Sequence, residues 1–291
     1  MIFSTVARRL LLGVIATLAV GCGAGGTPAE QLEDESAVTE DGWQSLGTGV
    51  AYKRDGDGDG DGVFIGYAGW SVRDSWTRAW SQELSRARLK ELGIGHLYAV
   101  RGPEDVGYER GEIKNSKLLA HLVNGISSRA PIILIAAHSS GSYVAHELLG
   151  ILERAGTEAA RETLHKTVYV NLDGGGQGLT PSIVGQLRDV AFVWAEDTTI
   201  AKGVSANAST MDALGRAYGK TRTRIVSDHT GCDSGARWCL HDAVITTRPH
   251  DPAKYDLAND YTDFVDRPVQ TGWIDVVAGS LTRTSAATSS R

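Results

Sequence analysis

Residues 131–149 read PIILIAAHSSGSYVAHELL, and this stretch decides the fold. The unbroken apolar run at residues 131–136 predicts a buried strand, and the residues from 140 onward predict a helix. Between them stands AHSSG, at residues 137–141, which fits the pattern G-x-S-x-G with alanine at the first glycine position. In that pattern the serine occupies a sharp strand-to-helix turn, and the small residues on both sides let strand and helix pack closely. The stretch therefore predicts a strand, a tight corner and a helix.

Only Ser139 fits the apex of this corner. Placing Ser140 there would put His138 and Ser142 at the two positions that need small residues. An ordinary strand–loop–helix with two surface serines is the alternative interpretation. Because strand, corner and helix follow in the required order, we favour the sharp corner and predict Ser139 as a nucleophile.

On both sides of this stretch, short β-rich runs alternate with helical periodicity. This pattern is typical of an α/β fold in which helices cover both faces of a mostly parallel sheet. The predicted strands are Val63–Tyr67, Gly95–Val100, Pro131–Ala136, Thr167–Leu172, Val190–Ala195 and Thr223–Ser227. The predicted helices are Ser75–Leu92, Ile113–Ser127, Ser140–Ala155, Thr157–His165, Pro181–Leu187, Asn207–Tyr218 and Pro268–Ser280. We expect a single domain at 63–282 and a disordered tail at 283–291.

The first 22 residues have the pattern of an export signal. Arg8 and Arg9 precede an apolar run, residues 10–20, that is too short to span a membrane as a mature helix. The tripeptide VGC at 20–22 resembles a bacterial lipobox, which implies that Cys22 carries lipid and holds the protein on a membrane surface. Ordinary secretion with cleavage near Cys22 is the alternative.

Residues 23–62 are small, acidic and poor in large apolar side chains, which predicts a flexible tether. The segment ends in DGDGDGDG at 55–62, which is similar to a calcium loop of the D-x-D-x-D-G type. Gly66 stands at the twelfth position from Asp55, where such a loop has a bidentate glutamate. We therefore favour a solvated linker over a calcium site.

Cys232 and Cys239 are the other two cysteines. Export places them in an oxidising compartment, where we expect them to form a disulfide. A metal site is the alternative, but the sequence offers no second Cys/His pair at zinc spacing.

Charge and glycine spacing exclude several classes of function. The chain has a net charge of -6 and no basic block, so we expect no nucleic-acid partner. The glycine-rich residues 174–178 lack both the GK[ST] ending of a phosphate loop and the G-x-G-x-x-G spacing of a dinucleotide site. We expect no cofactor and no catalytic metal, and we expect a monomer.

The serine corner and the order of elements resemble the α/β-hydrolase superfamily of serine esterases and lipases, across the whole predicted domain. The resemblance implies that an acid and then a histidine follow the serine, each at the carboxyl end of a later strand. Asp173 and Asp197 each follow a predicted strand, and Glu196 and Asp228 are further alternatives. We favour Asp173, because the glycines at 174–176 suit a crowded site.

Three histidines follow the acid in sequence: His229, His241 and His250. We favour His241, because a disulfide at Cys239 would hold its loop rigidly near Ser139. His250 follows a proline and resembles the histidine loop of cutinases, in which a cysteine pair precedes Pro-His by about ten residues. His229 lies close to the end of a predicted strand.

An oxyanion hole needs two backbone N–H groups directed at the developing negative charge. We expect one from Ser140, directly after the nucleophile. The other is expected from Tyr67 or Ala68, in a loop that resembles the glycine-aromatic oxyanion loops of lipases. Trp70 is placed at the border of the pocket.

These features predict hydrolysis of a small-molecule or lipid ester. Ser139 would attack the carbonyl carbon, His241 would transfer the proton, and Asp173 would orient the imidazole. A catalytically inactive lipoprotein that acts as a binding module is one alternative, and an acyltransferase or peptidase with the same triad is another.

Overall fold

The computed structural model describes the parts of the chain that carry the sheet and most of its helices. These are residues 38–47, 49–54, 60–70, 74–87, 92–103, 114–116, 118–119, 122, 128–195, 213, 221–226 and 241. The predicted export signal with Cys22, the residues Cys232 and Cys239, and the tail lie outside them. So do the predictions for Asp197, Glu196, Asp228, His229 and His250.

Eight strands form one sheet in the described part of the chain. They are β1 (Gln44–Ser45), β2 (Val50–Arg54), β3 (Gly62–Tyr67), β4 (Ile94–Val100), β5 (Ile133–His138), β6 (Thr167–Leu172), β7 (Asp189–Ala195) and β8 (Thr221–Val226). Their order across the sheet is β1-β2-β4-β3-β5-β6-β7-β8. All pairings among β3–β8 are parallel, whereas β2 pairs antiparallel with both β1 and β4. The predicted mostly parallel α/β sheet is confirmed.

The central strands β3, β4, β5 and β6 are buried at every residue. Side chains alternate between the two faces of a strand, so this burial means that both faces of the sheet are covered there. It also explains why these strands have unbroken apolar runs in the sequence. Strand β5, in the middle of them, leads directly to the predicted corner.

Four helices cover the sheet in the described chain: α1 (Asp74–Ala87), α2 (Gly141–Ala155), α3 (Glu158–Lys166) and α4 (Pro181–Gln186). Gly156 ends α2 in the left-handed conformation, at φ 59°. Threonine side chains cap the next two helices: Thr157 accepts from Ala160 N and Thr180 accepts from Ile183 N. No helix of the described chain is long and apolar enough to cross a membrane.

The folded domain begins before residue 63, which differs from the prediction of a tether at 23–62. Strands β1 and β2 lie within that segment and extend the sheet beyond β4. Trp43 beside them is fully buried. Gly47 and Gly49 have φ of 89° and 72°, which lets the chain turn between the two strands. Strand β1 has only two residues, too few for a periodic pattern to show in the sequence.

Candidate active site

The corner between β5 and α2 has the strained backbone that the motif requires. Ser139 has φ 53°, in the left-handed region that residues other than glycine rarely adopt. A Cβ added to Gly141 would lie 2.2 Å from the carbonyl oxygen of Ala68, so glycine is required there. Ala137 is still part of β5 and is fully buried, so its Cβ has space and alanine replaces the first glycine of the motif. Strand β5 runs two residues beyond its predicted end, as far as His138.

Ser139 and Asp173 follow neighbouring strands at matching positions. His138 is paired with Leu172 across β5 and β6, and Ser139 N–H donates to the Leu172 carbonyl oxygen at 3.1 Å. Asp173 also has a left-handed backbone, with φ 49°, and its N–H donates to Val193 O at 2.7 Å. Among the described residues, Ser139 and Asp173 are the only two other than glycine that have a positive φ. The structure thus places the predicted nucleophile and the favoured acid side by side.

Asp173 contacts His241 directly. The Asp173 Oδ2 atom lies 2.6 Å from His241 Nδ1, and both residues are buried. A carboxylate at Nδ1 fixes the imidazole tautomer and leaves Nε2 on the opposite side of the ring to accept a proton. The structure therefore brings together the acid and the histidine that the sequence favoured.

Ser139 is partly exposed beside this buried pair. The described chain therefore carries a reachable hydroxyl at the end of β5 and a histidine–carboxylate pair at the end of the neighbouring strand β6.

His138 is a site residue that the sequence did not predict. It is fully buried, its ring centroid lies 4.6 Å from that of His241, and its Nε2 lies 3.3 Å from the His241 carbonyl oxygen. A carbonyl only accepts, so Nε2 carries the proton and donates. Burial, and next the neighbouring His241, lower the pKa of His138 well below its usual value, which keeps the ring neutral. The motif allows any residue before the serine, so it gave no signal for this contact.

The loop after β3 differs from the prediction for the oxyanion hole. Ala68 N–H donates to Val100 O at 3.0 Å and is therefore occupied. Tyr67 is the last residue of β3, where alternate N–H groups point to opposite neighbours, and its N–H faces β5 within the ladder. Gly69 lies close to the serine: a Cβ added there would be 3.2 Å from Ser139 Cβ and 3.7 Å from Ser139 Oγ.

Ser140 lies where the sequence placed it, at the N-terminus of α2. Backbone N–H groups at this end of a helix have no acceptor within the helix and carry a partial positive charge. The Ser140 N–H is therefore suited to a developing oxyanion.

Trp70 follows Gly69 and is 55% exposed, which is compatible with its predicted place at the border of a pocket. No group of three or more His, Cys, Asp or Glu side chains converges to hold a metal among the described residues. The aspartates at 55–59, which gave the calcium alternative, lie outside that part of the chain.

No family model and no curated protein matches this sequence. Among solved structures, the chain is similar to a thermostable esterase at 14% identity, with 78% of this chain and 61% of that one covered and a TM-score of 0.49. The chain thus spans less than two thirds of that esterase. It is also similar to carboxyl esterase 2 from the fungus Tuber melanosporum, at 9% identity, 67% and 79% coverage and a TM-score of 0.47. An esterase from Pyrococcus furiosus has 11% identity, 66% and 80% coverage and a TM-score of 0.44.

With identities of 9–14% and TM-scores below 0.5, these similarities carry no argument of their own, and the fold is assigned from the sheet and the serine corner. The mostly parallel sheet, with the serine corner after β5, gives the described chain an α/β-hydrolase-like fold.

Proposed function

We propose that this protein is a serine hydrolase that cleaves carboxylic esters through an acyl-enzyme. The observation that carries the proposal is the 2.6 Å contact between Asp173 Oδ2 and His241 Nδ1, beside the strained Ser139. A serine hydroxyl is a weak nucleophile until an adjacent base takes its proton. An oriented histidine next to a reachable serine provides that base.

Acylation follows from this arrangement. Ser139 Oγ forms a bond to the ester carbonyl carbon while its proton moves to His241 Nε2. The N–H groups of Ser140 and Gly69 donate to the resulting oxyanion. When the tetrahedral intermediate collapses, the C–O bond to the alcohol breaks and His241 returns the proton to the departing oxygen.

Deacylation repeats these steps with water. His241 takes a proton from the water as the water oxygen bonds to the acyl carbon. The bond between that carbon and Ser139 Oγ then breaks, His241 gives the proton to Oγ, and the free acid leaves. Asp173 accepts from the His241 Nδ1–H throughout and stabilises the imidazolium.

A binding protein without catalysis is the second candidate function. The two candidates differ in one measurable property, because an unactivated serine does not react with a fluorophosphonate.

The decisive experiment is fluorophosphonate labelling of the full-length protein, with the attachment site mapped by peptide mass spectrometry. We expect one label, on Ser139, and turnover of short-chain p-nitrophenyl esters that falls by roughly five to six orders of magnitude in Ser139→Ala. Ser182→Ala, on the exposed side of α4, is the matched control and should keep the parent rate. Attachment to Ser140, or an unchanged rate in Ser139→Ala, would refute the proposal.

We also propose that the protein is exported and lipid-anchored through Cys22. The apolar run at 10–20 and the tripeptide VGC at 20–22 support this. The full-length protein should fractionate with membranes and incorporate a labelled fatty acid, and Cys22→Ala should do neither. Soluble, unlabelled parent protein would contradict the anchor.

Export in turn supports a disulfide between Cys232 and Cys239. We propose that this bond holds the loop of His241. Peptide mapping without reductant should find the two cysteines linked, and reduction should lower the esterase rate. Two free thiols in the exported protein would refute this pairing.

A further inference from the structure

Beneath the turn that carries Asp173 lies a row of buried polar side chains to which the proposed reaction assigns no role. Asn171, Tyr169 and His146 are at most 4% exposed. Asn171 Nδ2 donates to Tyr169 Oη at 3.2 Å, Tyr169 Oη lies 2.7 Å from His146 Nε2, and His146 Nδ1 lies 2.8 Å from Gln177 O. At the other end, Gly174 N–H donates to Asn171 Oδ1 at 2.8 Å.

These hydrogen bonds can run in one direction only. The Gln177 carbonyl accepts, so His146 Nδ1 must donate and its Nε2 is left as an acceptor. Tyr169 Oη therefore donates to His146 and accepts from Asn171. This orients the Asn171 amide so that its oxygen faces the N–H of Gly174, the residue that follows Asp173.

The same turn packs directly against the serine corner. A Cβ added to Gly174 would lie 2.6 Å from the Ser142 side chain and 2.8 Å from Ser139 O. Ser142 Oγ also donates to Gly175 O at 3.2 Å. A shift of this turn would therefore move the Asp173 carboxylate relative to both Ser139 and His241.

We propose that Asn171, oriented by Tyr169 and His146, is a positioning residue for Asp173. This inference rests on the proposed function, because it assigns Asp173 a catalytic task. Asp173 has positive φ, and surrounding contacts have to maintain such a conformation. The Asn171 amide supplies one such contact, because its oxygen accepts from the backbone N–H of Gly174, the residue that follows Asp173.

The test compares Asn171→Ala and Tyr169→Phe in the full-length protein. The matched control is Tyr98→Phe, a buried tyrosine on β4. The first readout is the downfield proton NMR signal of a short imidazole–carboxylate hydrogen bond, measured without substrate. We expect this His241 signal to broaden or move upfield in both variants and to stay unchanged in Tyr98→Phe.

The second readout is the esterase rate. We expect kcat to fall by roughly 10- to 100-fold in Asn171→Ala and by a smaller factor in Tyr169→Phe, with little change in KM. Folded variants that keep the parent signal and the parent kcat would overturn the inference. If Asn171→Ala does not fold, the milder Tyr169→Phe decides.

The NMR readout does not depend on turnover. If the parent protein is not labelled by fluorophosphonate but the signal changes as expected, the proposed function fails and Asn171 supports the Asp173–His241 contact in a structural role only. If labelling is normal and the signal is insensitive to both variants, only the positioning role fails.

Discussion

His241 lies 68 residues after Asp173 in the chain, yet its Nδ1 atom is 2.6 Å from the Asp173 carboxylate. Both side chains are at most 4% exposed. Two contacts flank this pair: His138 Nε2 donates to the His241 carbonyl oxygen, and Ser139 N–H donates to the carbonyl oxygen of Leu172, the residue before Asp173. The first prediction follows from this contact.

Asp173→Asn should lower kcat by roughly 10³- to 10⁴-fold with little loss of stability. An asparagine amide can donate to Nδ1 and hold the imidazole in the wrong tautomer, while asparagine tolerates a left-handed backbone. The measurement is ester turnover together with the thermal unfolding midpoint. Asp197→Asn is the matched control, since Asp197 is the competing acid. A loss of turnover in Asp197→Asn alone would transfer the role to that residue.

The two small positions of the serine corner should respond in opposite ways. Gly141→Ala places a Cβ 2.2 Å from Ala68 O, so the corner must shift and both stability and activity should fall. Ala137→Gly removes a methyl group from a strand and should cost only about 1 kcal/mol, with activity retained. Urea unfolding and ester turnover would measure both variants. Equal effects in the two variants would contradict the packing described here.

Gly69→Ala should impair catalysis more than folding. The added Cβ would lie 3.2 Å from Ser139 Cβ and 3.3 Å from His138 Nδ1, closer than side chains normally pack. We expect kcat to fall by roughly tenfold or more, because a small displacement of reacting groups is costly. Gly150→Ala, inside α2, is the control: alanine is the better helix former, by about 1 kcal/mol. An active, unshifted Gly69→Ala would show that a methyl group fits beside Ser139 and would contradict this close approach.

Acid should destabilise the fold through His146. Burial lowers its pKa from the usual 6.5 to about 4. At a pH between these two pKa values, His146 is protonated in the unfolded chain and neutral in the folded chain. The free energy of unfolding therefore decreases as the pH falls below 6.5. The full effect is about 3 kcal/mol, reached near pH 4.

Urea unfolding at about pH 7 and about pH 5 would measure this dependence. His146→Gln should weaken the fold at both pH values but reduce the difference between them. His138, whose pKa is also lowered, adds a contribution of the same sign that the variant retains. An unchanged difference in His146→Gln would show that this ring does not titrate as described.

The parallel sheet could be predicted because its central strands are buried on both faces and so are apolar throughout. Strands β1 and β2 could not, because β1 at the edge of the sheet has only two residues and β2 beside it has five without an unbroken apolar run. Their place depends on pairing with β4, which is about 50 residues away along the chain (Val50 with Val100).

The candidate site was predictable where local geometry determines it. Small residues around Ser139 mark the corner, and the glycines after Asp173 mark a tight turn. The second oxyanion donor, in the loop after β3, was not predictable from the sequence. Successive N–H groups of β3 point alternately to β4 and β5, and this pairing decides which of them is already hydrogen-bonded. His138 was missed for a similar reason: its partner is the backbone of a residue 103 positions later.

The left-handed backbone at Ser139 and Asp173 couples the proposed activity to the stability of the fold. Each such conformation costs about 1–3 kcal/mol, and the rest of the fold has to offset that strain. Glycine at either position would relieve it and should raise the melting temperature, yet would remove the side chain that matters. Selection for heat tolerance alone would therefore favour forms of this protein without the proposed activity, and directed evolution of it should screen for turnover in every round.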